Sequence, residues 1–348
     1  MEIVKARSFP RAGFLGNPSD GYFGKTMSFA FADYCVDLTL TESAKMRFVP
    51  GEVDDATFDS PMNLVRDIRL YGYYGGIRML KAVAKLFFEY CFDHGIDLPE
   101  QNFTAEYRTN IPRLVGLSGS SAICSAMLKA LMKFYSVDIP LEYTPTICLE
   151  AEKLELGINC GFQDRVIQMY NGLVFMDFEK TFVEENKRGR YERLDPKLLP
   201  NVYVAFDPNR AEESGKAHRK VKRLFEEKKA DILAAMTEFA DIAQKGRDAL
   251  IEGRVGEIPV LVNANFDLRD KIFNVAELNR NMVMTARESG ASAKFAGSGG
   301  AIVGTYEDDA QYEKLKTKLA SIGCTTFKPI IAISDDDFVV ANGAWRNS

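Results

Sequence analysis

A run of small residues that leads directly into an apolar helical pattern is the most constraining feature of this sequence. From Pro112 to Ala122 the chain reads Pro-Arg-Leu-Val-Gly-Leu-Ser-Gly-Ser-Ser-Ala. Apolar residues then recur at helical spacing as far as Phe134, which predicts a core helix beginning at this loop. Glycine and serine let a backbone approach a ligand closely, and exposed amides at a helix start favour a polyphosphate. The segment predicts either a nucleotide-binding loop or a plain turn before a buried helix.

Composition narrows the class of protein. A chain of 348 residues, 46% hydrophobic and 27% charged, is long enough for two domains and has the balance of a soluble globular protein. The net charge of -5 gives no support to a nucleic-acid or membrane-surface role. No signal peptide is evident, and the longest uncharged run, 114–128, is too short to span a bilayer. We expect a cytoplasmic protein that binds small molecules, with its oligomeric state left open.

Cysteine and histidine usage excludes several kinds of site. The six cysteines show no Cys-x-x-Cys pair and no dense spacing, so a disulfide framework is not expected. The only histidines are His94 and His218, and neither has the spacing of a metal ligand. A zinc site or a Ser-His-Asp triad is therefore not predicted.

The order of predicted elements indicates an α+β protein, with strands clustered early and helices later. Alternation and helical spacing predict strands in the second half of 28–40 and over 102–110, 172–178, 202–206, 293–305 and 324–332. They predict helices over 76–92, after 121, near 142–156 and 163–170, between 215 and 289, and near 308–322. The charged, turn-rich stretch 184–190 is interpreted as a boundary or a long connection.

Two further segments carry polar groups suited to a substrate and a metal. Residues 11–20 end in Asn-Pro-Ser-Asp, which is turn chemistry beside an apolar Phe-Leu pair. Residues 150–165 place Glu152 and Asp164 on either side of two glycines. These two carboxylates are able to converge on a Mg²⁺–phosphate centre, since Mg²⁺ prefers one or two carboxylates plus phosphate oxygens. Taken alone, Glu152 also fits a solvated helix face, and Asp164 fits a helix cap or an ion pair with Arg165.

A second glycine turn, Gly-Ser-Gly-Gly at 297–300, lies between two apolar strand patterns. It also fits a tight hairpin, and it does not satisfy G-x-G-x-x-G because Ile302 occupies the last position. No Walker A sequence occurs in the chain, and Asp177-Phe178 is followed by glutamate, with no His-Arg-Asp before it. The P-loop and protein-kinase classes are therefore excluded.

Taken in this order, the four segments resemble the motifs of the galactokinase, homoserine kinase, mevalonate kinase and phosphomevalonate kinase (GHMP) superfamily. The resemblance runs from Arg11 to about Val303 and is nearest to the plant-type glucuronokinase family. The sequences that carry it are Gly-Phe-Leu-Gly-Asn-Pro-Ser-Asp at 13–20, Gly-Tyr-Tyr-Gly-Gly at 72–76, Asn-Ile-Pro at 110–112, the 116–122 loop, Gln-Asp-Arg at 163–165 and Met-Asp-Phe at 176–178.

The resemblance implies a two-domain GHMP kinase fold with ATP and the substrate in the cleft between the domains. A ribosomal protein S5 domain 2-like domain would span 1–195, and a ferredoxin-like α/β domain would span 196–348. It implies that Arg11 and Asp164 are catalytic, that Glu152 holds Mg²⁺, and that the sugar is bound by Asn17, Ser19 and Asp20. The ATP phosphates would be wrapped by Pro112, Gly116, Leu117, Ser118, Gly119, Ser120, Ser121, Ala122, Gly297, Ser298 and Gly299.

Two departures from the family pattern leave alternatives open. The phosphate loop is one residue longer than the usual Gly-Leu-Gly-Ser-Ser, so the Mg²⁺ ligand is Ser120 when counted from Pro112 and Ser121 when counted from Ala122. We favour Ser120. Asn17-Pro18 stands in place of the Glu-His of galactokinases, so the contacts to the sugar must differ there.

The activity implied is ATP-dependent phosphorylation of D-glucuronate at its anomeric hydroxyl. A sugar carboxylate requires a cationic partner, ideally arginine, for which Arg78, Arg165, Arg210 and Lys216 are candidates. A depressed pKa in an Asp164 paired with Arg11 would limit that carboxylate to orienting the hydroxyl. The alternatives are a kinase for galacturonate, galactose or fucose, a decarboxylase of the superfamily, a non-catalytic sensor of sugar and ATP, and a structural module of the same fold.

Overall fold

Three four-stranded sheets form the framework of the protein in a computed structural model, which describes residues 2–51, 54, 60–62, 75–208, 215–273 and 275–336. The first sheet has the order β1-β4-β6-β5 and the second the order β2-β3-β7-β8. Their strands are β1 (Ile3–Ser8), β2 (Arg11–Leu15), β3 (Lys25–Ala30), β4 (Val36–Ser43), β5 (Arg47–Phe48), β6 (Asn102–Thr109), β7 (Leu173–Asp177) and β8 (Arg190–Leu194). All pairs are antiparallel except β5 with β6.

Strand β6 shows why the first sheet has one face on the core. Phe103, Ala105 and Tyr107 are buried, whereas Asn102, Glu106 and Arg108, which alternate with them, are exposed. This period of two is typical of an antiparallel strand that covers a core on one side. By contrast, all five residues of β2 are buried, which places the side chain of Arg11 inside the protein.

Five helices are named here from the described residues of the first half. They are α1 (Gly76–Asp93), α2 (Gly119–Phe134), α3 (Thr144–Glu150, continued by a π-helical turn, Ala151–Glu155), α4 (Gln163–Tyr170) and α5 (Lys180–Asn186). Helix α1 buries Met79, Leu80, Val83 and Phe87 at helical spacing. Helix α2 is buried along most of its length and packs against β1, β4 and α1. The N-terminus of α2 is therefore fixed, and the small-residue loop leads into it.

The second half builds the third sheet, of order β10-β11-β9-β12, and packs its helices around it. The strands are β9 (Val202–Phe206), β10 (Lys294–Phe295), β11 (Ala301–Thr305) and β12 (Thr325–Phe327), all antiparallel. The helices are α6 (Gly215–Glu226), α7 (Ala230–Ile251), α8 (Ile258–Phe273), α9 (Glu277–Arg287) and α10 (Asp309–Ser321). Short 3₁₀ turns cover Ser19–Tyr22, Pro196–Leu198 and Val255–Glu257. The predicted α+β class is confirmed, and the domain limits at 195 and 196 stay a prediction.

The interpretation of 184–190 as a boundary is wrong. The stretch contains the end of α5 and a turn at Lys187 with a positive φ of 57°, and it leads into β8, which pairs with β7 in the same sheet. The charged residues indicated a loop because α5 has no buried residue. Its sequence therefore lacks the apolar stripe by which a helix is usually recognised.

The chain returns to the first half after β12. The carbonyl of Ile330 accepts from the backbone N–H of Ala32 (2.7 Å), and the N–H of Ala332 donates to Ala30 (3.0 Å). Asp335 then pairs with the buried ammonium of Lys129 at 2.6 Å. Residues 330–335 therefore contact the end of β3 and helix α2 in the first half of the chain, although they follow every strand of the third sheet.

Two expectations about the environment of the chain can be compared with the structure. In the described ranges no helix is long and apolar enough to cross a membrane. All six cysteines are free thiols, and five of them are buried. Burial raises the pKa of the Cys124 thiol well above its ordinary value, so this thiol is unreactive.

Candidate active site

A cavity of about 730 Å³ brings the predicted motifs together. The first half of the chain contributes most of its wall, and Lys222, Arg269, Gly297 and Ser298 close it from the second half. The predicted site residues that line it are Arg11, Asn17, Asp20, Pro112, Gly116, Leu117, Ser118, Gly119, Ser120, Glu152, Asp164, Gly297 and Ser298. Its size is within the range of a site for a small ligand.

The two glycine turns approach each other so closely that neither tolerates a side chain. A Cβ at Gly116 would overlap the carbonyl oxygen of Gly299, and a Cβ at Gly297 would overlap the carbonyl oxygen of Gly116. Gly116 also has a positive φ of 77°, which favours glycine. The small residues that the sequence places at 116 and 297 are thus required by reciprocal contact between the two halves of the site.

Arg11 joins both glycine turns to Asp164. Its Nε donates to Oδ1 of Asp164 at 2.7 Å, and its Nη1 donates to the carbonyls of Gly116 (2.7 Å) and Ala296 (3.1 Å). The side chain comes from the fully buried strand β2, so its position is fixed by the sheet. This places a guanidinium at the point where the two turns and the carboxylate meet.

Asp164 lies in the first turn of α4 and has both oxygens occupied. Ser118 Oγ donates to its Oδ2 at 2.7 Å, opposite the bond from Arg11. Burial would raise the pKa of this carboxyl, but the guanidiniums of Arg11 and Arg165, with the hydrogen bonds from Arg11 and Ser118, lower it below the ordinary value. Asp164 is therefore an ionised, firmly oriented acceptor and a weak base.

Ser118 connects this carboxylate to the start of α2. It precedes the helix with a left-handed φ of 65°, and its carbonyl accepts hydrogen bonds from Gln168 Nε2 (2.9 Å) and Ser121 Oγ (3.1 Å). A non-glycine residue in this region costs free energy and is kept where the surroundings require it. The longer loop noted in the sequence thus supplies a hydroxyl that holds Asp164.

Glu152 forms a second, more deeply buried ion pair. Arg165 donates from Nε to Glu152 Oε2 at 2.7 Å and also from Nη2 to the same oxygen, while its Nη1 bonds the carbonyl of Gly161 (2.9 Å). The other oxygen, Glu152 Oε1, is buried and has no hydrogen-bond partner. An unpartnered carboxylate oxygen in the wall of a cavity is a position suited to a cation.

Asp20 is the third carboxylate of the site. Its side chain accepts from the backbone N–H of Gln163 at 3.2 Å. Burial, together with the negative charge of Asp164, raises the pKa of Asp20 to about 6. Nearby Gly161 has no room for a side chain, because its Cβ would overlap the Asp20 carboxylate. The glycine in the 157–161 loop therefore allows the loop to close over Asp20.

Four predicted site residues do not line the cavity. Ser19 is buried and its hydroxyl donates to the carbonyl of Lys25 at 2.8 Å. Ser121 and Ala122 are buried within α2, whereas Ser120 next to them faces the cavity. Gly299 lies behind Gly116. Because side chains in the first helical turn point in different directions, only one of the two serines is exposed to a ligand here.

The four residues predicted as partners for a substrate carboxylate differ in their position relative to the cavity. Arg165 lines the cavity but is engaged with Glu152, and Arg78 is an exposed residue of α1 that does not line it. Arg210, like the Gly-Tyr-Tyr of the 72–76 motif, lies outside the described residues. The side chain of Lys216 lies outside them as well.

Three basic residues of the site were missed in the sequence. Arg269 of α8 donates to the carbonyls of Gly297 (2.9 Å) and Ser298 (3.0 Å). Lys222 lines the cavity from α6, and Lys294 at the start of β10 contacts the first motif. Their partners are distant in sequence, so no local pattern indicated them, although Lys294 does stand directly beside the second glycine turn.

Comparison with known proteins agrees with this geometry. Residues 78–172 match the family model described as the GHMP kinases N terminal domain. The crystal structure of Lactococcus lactis galactokinase complexed with galactose superposes with a TM-score of 0.72 at 15% identity, covering 95% of this chain and 94% of that one. The fold and the motifs therefore define the class as a GHMP kinase, a phosphotransferase with an alcohol acceptor.

Two proteins of Arabidopsis thaliana are similar over most of their length. Probable glucuronokinase 2 is 45% identical, covering 86% of this chain and 84% of the relative. Glucuronokinase 1 is 42% identical over the same shares. Within the GHMP kinases, the chain belongs to the glucuronokinase family.

Proposed function

We propose that this protein is an ATP-dependent sugar 1-kinase that phosphorylates D-glucuronate at its anomeric hydroxyl, giving glucuronate 1-phosphate and ADP. The observation that carries the proposal is the likeness to two glucuronokinases across most of the chain. It is supported by a cavity in which a fixed carboxylate, a guanidinium and two glycine turns face one another.

Catalysis in this site rests on positioning and charge. In the transfer, the anomeric oxygen forms a bond to the γ-phosphorus while the bond from that phosphorus to the β,γ-bridging oxygen breaks, ADP leaves, and the hydroxyl proton is released to water. The transition state is loose, so stabilisation of charge matters more than a strong base. Asp164, with its lowered pKa, accepts a hydrogen bond from the hydroxyl and orients it. Arg11 places positive charge beside the phosphoryl oxygens.

The ATP phosphates belong at the start of α2. Gly119 and Ser120 begin a 16-residue helix, whose free N–H groups and dipole favour negative charge. Gly297 and Ser298 cover the same region from the other side, and Arg269 fixes their carbonyls. The close contact between Gly116 and Gly297 keeps the two turns at a fixed separation.

Mg²⁺ is compatible with the residues present. The described residues contain no cluster of three or more His, Cys, Asp or Glu able to hold a metal by themselves. Glu152 Oε1 and the Ser120 hydroxyl are protein oxygens that would hold the ion, with nucleotide oxygens and water supplying the others. When bound, Mg²⁺ supplies neutralisation of phosphate charge. Ser121 suits this role less well, because it does not line the cavity and its hydroxyl already donates to the carbonyl of Ser118.

A non-catalytic sensor of the same fold is the second candidate from another class. A sensor requires a cavity for sugar and ATP, but it does not require a carboxylate held by two donors beside the phosphate turns. The contacts of Asp164 with Arg11 and Ser118 therefore favour an enzyme. A decarboxylase and a purely structural module remain outcomes for the test below.

The test is ADP release from ATP and Mg²⁺ with glucuronate, galacturonate, galactose, fucose and mevalonate as acceptors, followed by identification of the product. We expect turnover on glucuronate and a product phosphorylated at C1. Turnover on a different sugar would keep the kinase class and replace the substrate. Release of CO₂ would indicate a decarboxylase. Binding of ATP without turnover would favour the sensor, and no binding of ATP would favour a structural module.

A further inference from the structure

Lys294 is a buried lysine that has no anionic partner among the described residues. It is 1% exposed, and its Nζ donates to the carbonyls of Gly13 (2.6 Å) and Phe295 (2.7 Å) and to Oδ1 of Asn17. All three acceptors are neutral. Among the carboxylates of the described residues, none forms an ion pair with this lysine. A buried charge of this kind is costly unless an opposite charge compensates it.

The surroundings of Lys294 increase the need for an anion. Burial, and then the positive charges of Arg269 and Arg11, lower its pKa well below the ordinary value. The three oxygens around Nζ act in the opposite direction, because an ammonium has three N–H donors and no acceptor. A negative charge brought by a ligand would oppose these effects and favour the protonated form. The cavity beside these residues is where such a ligand would bind.

The contact with Lys294 also fixes the orientation of the Asn17 amide. Since an ammonium only donates, it is the oxygen of Asn17 that faces it, and the nitrogen Nδ2 points elsewhere. Among the described residues, Nδ2 has no hydrogen-bond partner. Asn17 lines the cavity, is only 3% exposed, and precedes Asp20 by three residues in the same turn. The wall therefore contains a held amide whose N–H donors are unused within the described residues.

We propose that Asn17 Nδ2 donates to the carboxylate of the acceptor sugar acid and that Lys294, a positioning residue behind it, orients the amide and supplies the counter-charge. This inference rests on the proposed function, because it concerns which acceptor the same cavity selects. A neutral group at that place gains less from the buried charge than a carboxylate does. The pair thus favours an acidic sugar over a neutral one.

Lys222 competes with Asn17 for the carboxylate, and Arg113 and Lys153 also line the cavity. Lys222, like Arg113 and Lys153, is exposed, and within the described ranges its Nζ bonds to Asn159 Oδ1 at 3.3 Å and to no other residue. A flexible, solvated lysine loses side-chain entropy when it binds and is screened by water. The buried amide is already held in place and incurs neither cost. This difference is why we assign the carboxylate to Asn17.

The test compares D-glucuronate with its neutral analogue D-glucuronamide in Asn17→Asp. The new carboxylate pairs with Lys294, which keeps the buried cation satisfied, but it removes the N–H donor and repels an anionic ligand. We expect kcat/KM for glucuronate relative to glucuronamide to fall at least tenfold, mainly through KM for glucuronate. KM for ATP should stay within twofold, and the melting temperature should not fall.

Asn159→Asp is the matched control, because it introduces the same change at the rim of the same cavity. We expect it to alter the glucuronate to glucuronamide ratio by less than twofold. An equal fall in both variants, an unchanged ratio in Asn17→Asp, or a change confined to KM for ATP would each overturn the proposal. The proposal would also be overturned if Lys222→Met lost the preference for glucuronate over glucuronamide while Asn17→Asp kept it.

Calorimetric binding of the same two ligands keeps this inference separate from the proposed function. If the unaltered protein binds but does not phosphorylate glucuronate, the proposed activity fails while the binding ratios still test Asn17. If it phosphorylates glucuronate and the Asn17→Asp ratio is unchanged, the proposed function stands and the role of Asn17 and Lys294 is rejected.

Discussion

The two buried carboxylate–guanidinium pairs of the site look alike but are built differently. Asp164 accepts one bond on each oxygen, from Arg11 and from Ser118. Glu152 accepts both bonds from Arg165 on a single oxygen and leaves the other without a partner. One carboxylate is held on both sides, which suits a group that must orient a hydroxyl. The other keeps a free oxygen, which suits a group that must accept a cation.

Replacing Asp164 tests the first half of this comparison and carries the largest expected effect. Asp164→Asn keeps the shape but removes the charge that orients the acceptor and balances Arg11. A loss of about 2–4 kcal/mol of transition-state stabilisation corresponds to a fall in kcat of about 30- to 1000-fold. Steady-state ADP release measures it.

Ser118→Ala is the matched variant for Asp164, because it removes one bond and leaves the charge. A net hydrogen bond to a charged group contributes about 1.5–3 kcal/mol, so its effect on kcat should be smaller than that of Asp164→Asn. Retention of more than a tenth of the activity in Asp164→Asn would contradict an essential role for the carboxylate.

Glu152→Gln tests the second half. If Oε1 holds Mg²⁺, the Mg²⁺ concentration for half-maximal activity should rise about tenfold, since a neutral amide oxygen is a poorer ligand for a hard cation. The variant also weakens a buried ion pair, and breaking such a pair typically costs about 3–5 kcal/mol of stability. A magnesium titration and a thermal melt separate the two effects.

Arg165→Lys provides the control for Glu152, because it weakens the same pair while retaining the carboxylate. We expect a lower melting temperature and an unchanged magnesium requirement. If both variants raise the magnesium requirement equally, Glu152 acts only through its ion pair with Arg165. The distinction drawn between the two carboxylates would then be wrong.

Replacing Asp20, the third carboxylate of the site, extends this comparison and has the smallest expected effect. Its folded pKa, about 6, lies above the ordinary 3.8, so the folded state binds its proton more tightly than the unfolded chain does. Its contribution to stability is therefore present below pH 3.8 and is lost as the pH rises through 6. Asp20→Asn should raise the free energy of unfolding by about 1–2 kcal/mol at pH 8, a moderate value because the side chain lies in an open cavity.

The same comparison at pH 4.5 is the check, because there the gain from Asp20→Asn should be clearly smaller. Urea midpoints at the two pH values measure it. An equal gain in the free energy of unfolding at both pH values would show that ionisation of the Asp20 carboxyl does not destabilise the folded protein. Weaker sugar binding in the same variant is expected, since stability gained at a ligand site commonly costs function.

Local patterns in the sequence predicted much of this framework. Helix α1 and strand β6 were predicted to within a residue or two, because each has one buried face and a regular period. The π-helical turn after α3 was not predicted, and it is there that Glu152 lies. A regular α-helix and an α-helix that ends in a π-helical turn have nearly the same spacing of apolar residues. Hydrophobic periodicity therefore does not distinguish them.

The pairings inside the site were harder to predict than its members. Arg165 was considered as a partner for Asp164 or for a substrate carboxylate, but its short bonds go to Glu152. Lys294 meets Asn17 across 277 positions of sequence. Such contacts depend on how the two halves pack, and a single sequence holds no local signal for them.

The return of residues 330–335 to the first half has a consequence for biosynthesis. The backbone groups of Ala30, Ala32 and Gly172 form hydrogen bonds with Ile330 and Ala332. Lys129 forms an ion pair with Asp335. On the ribosome, the first half emerges before these partners do, so backbone groups at the end of β3 stay unpaired and Lys129 lacks its carboxylate partner until residues 330–335 have been made. A nascent chain arrested before residue 330 would therefore expose these unpaired backbone groups to other chains.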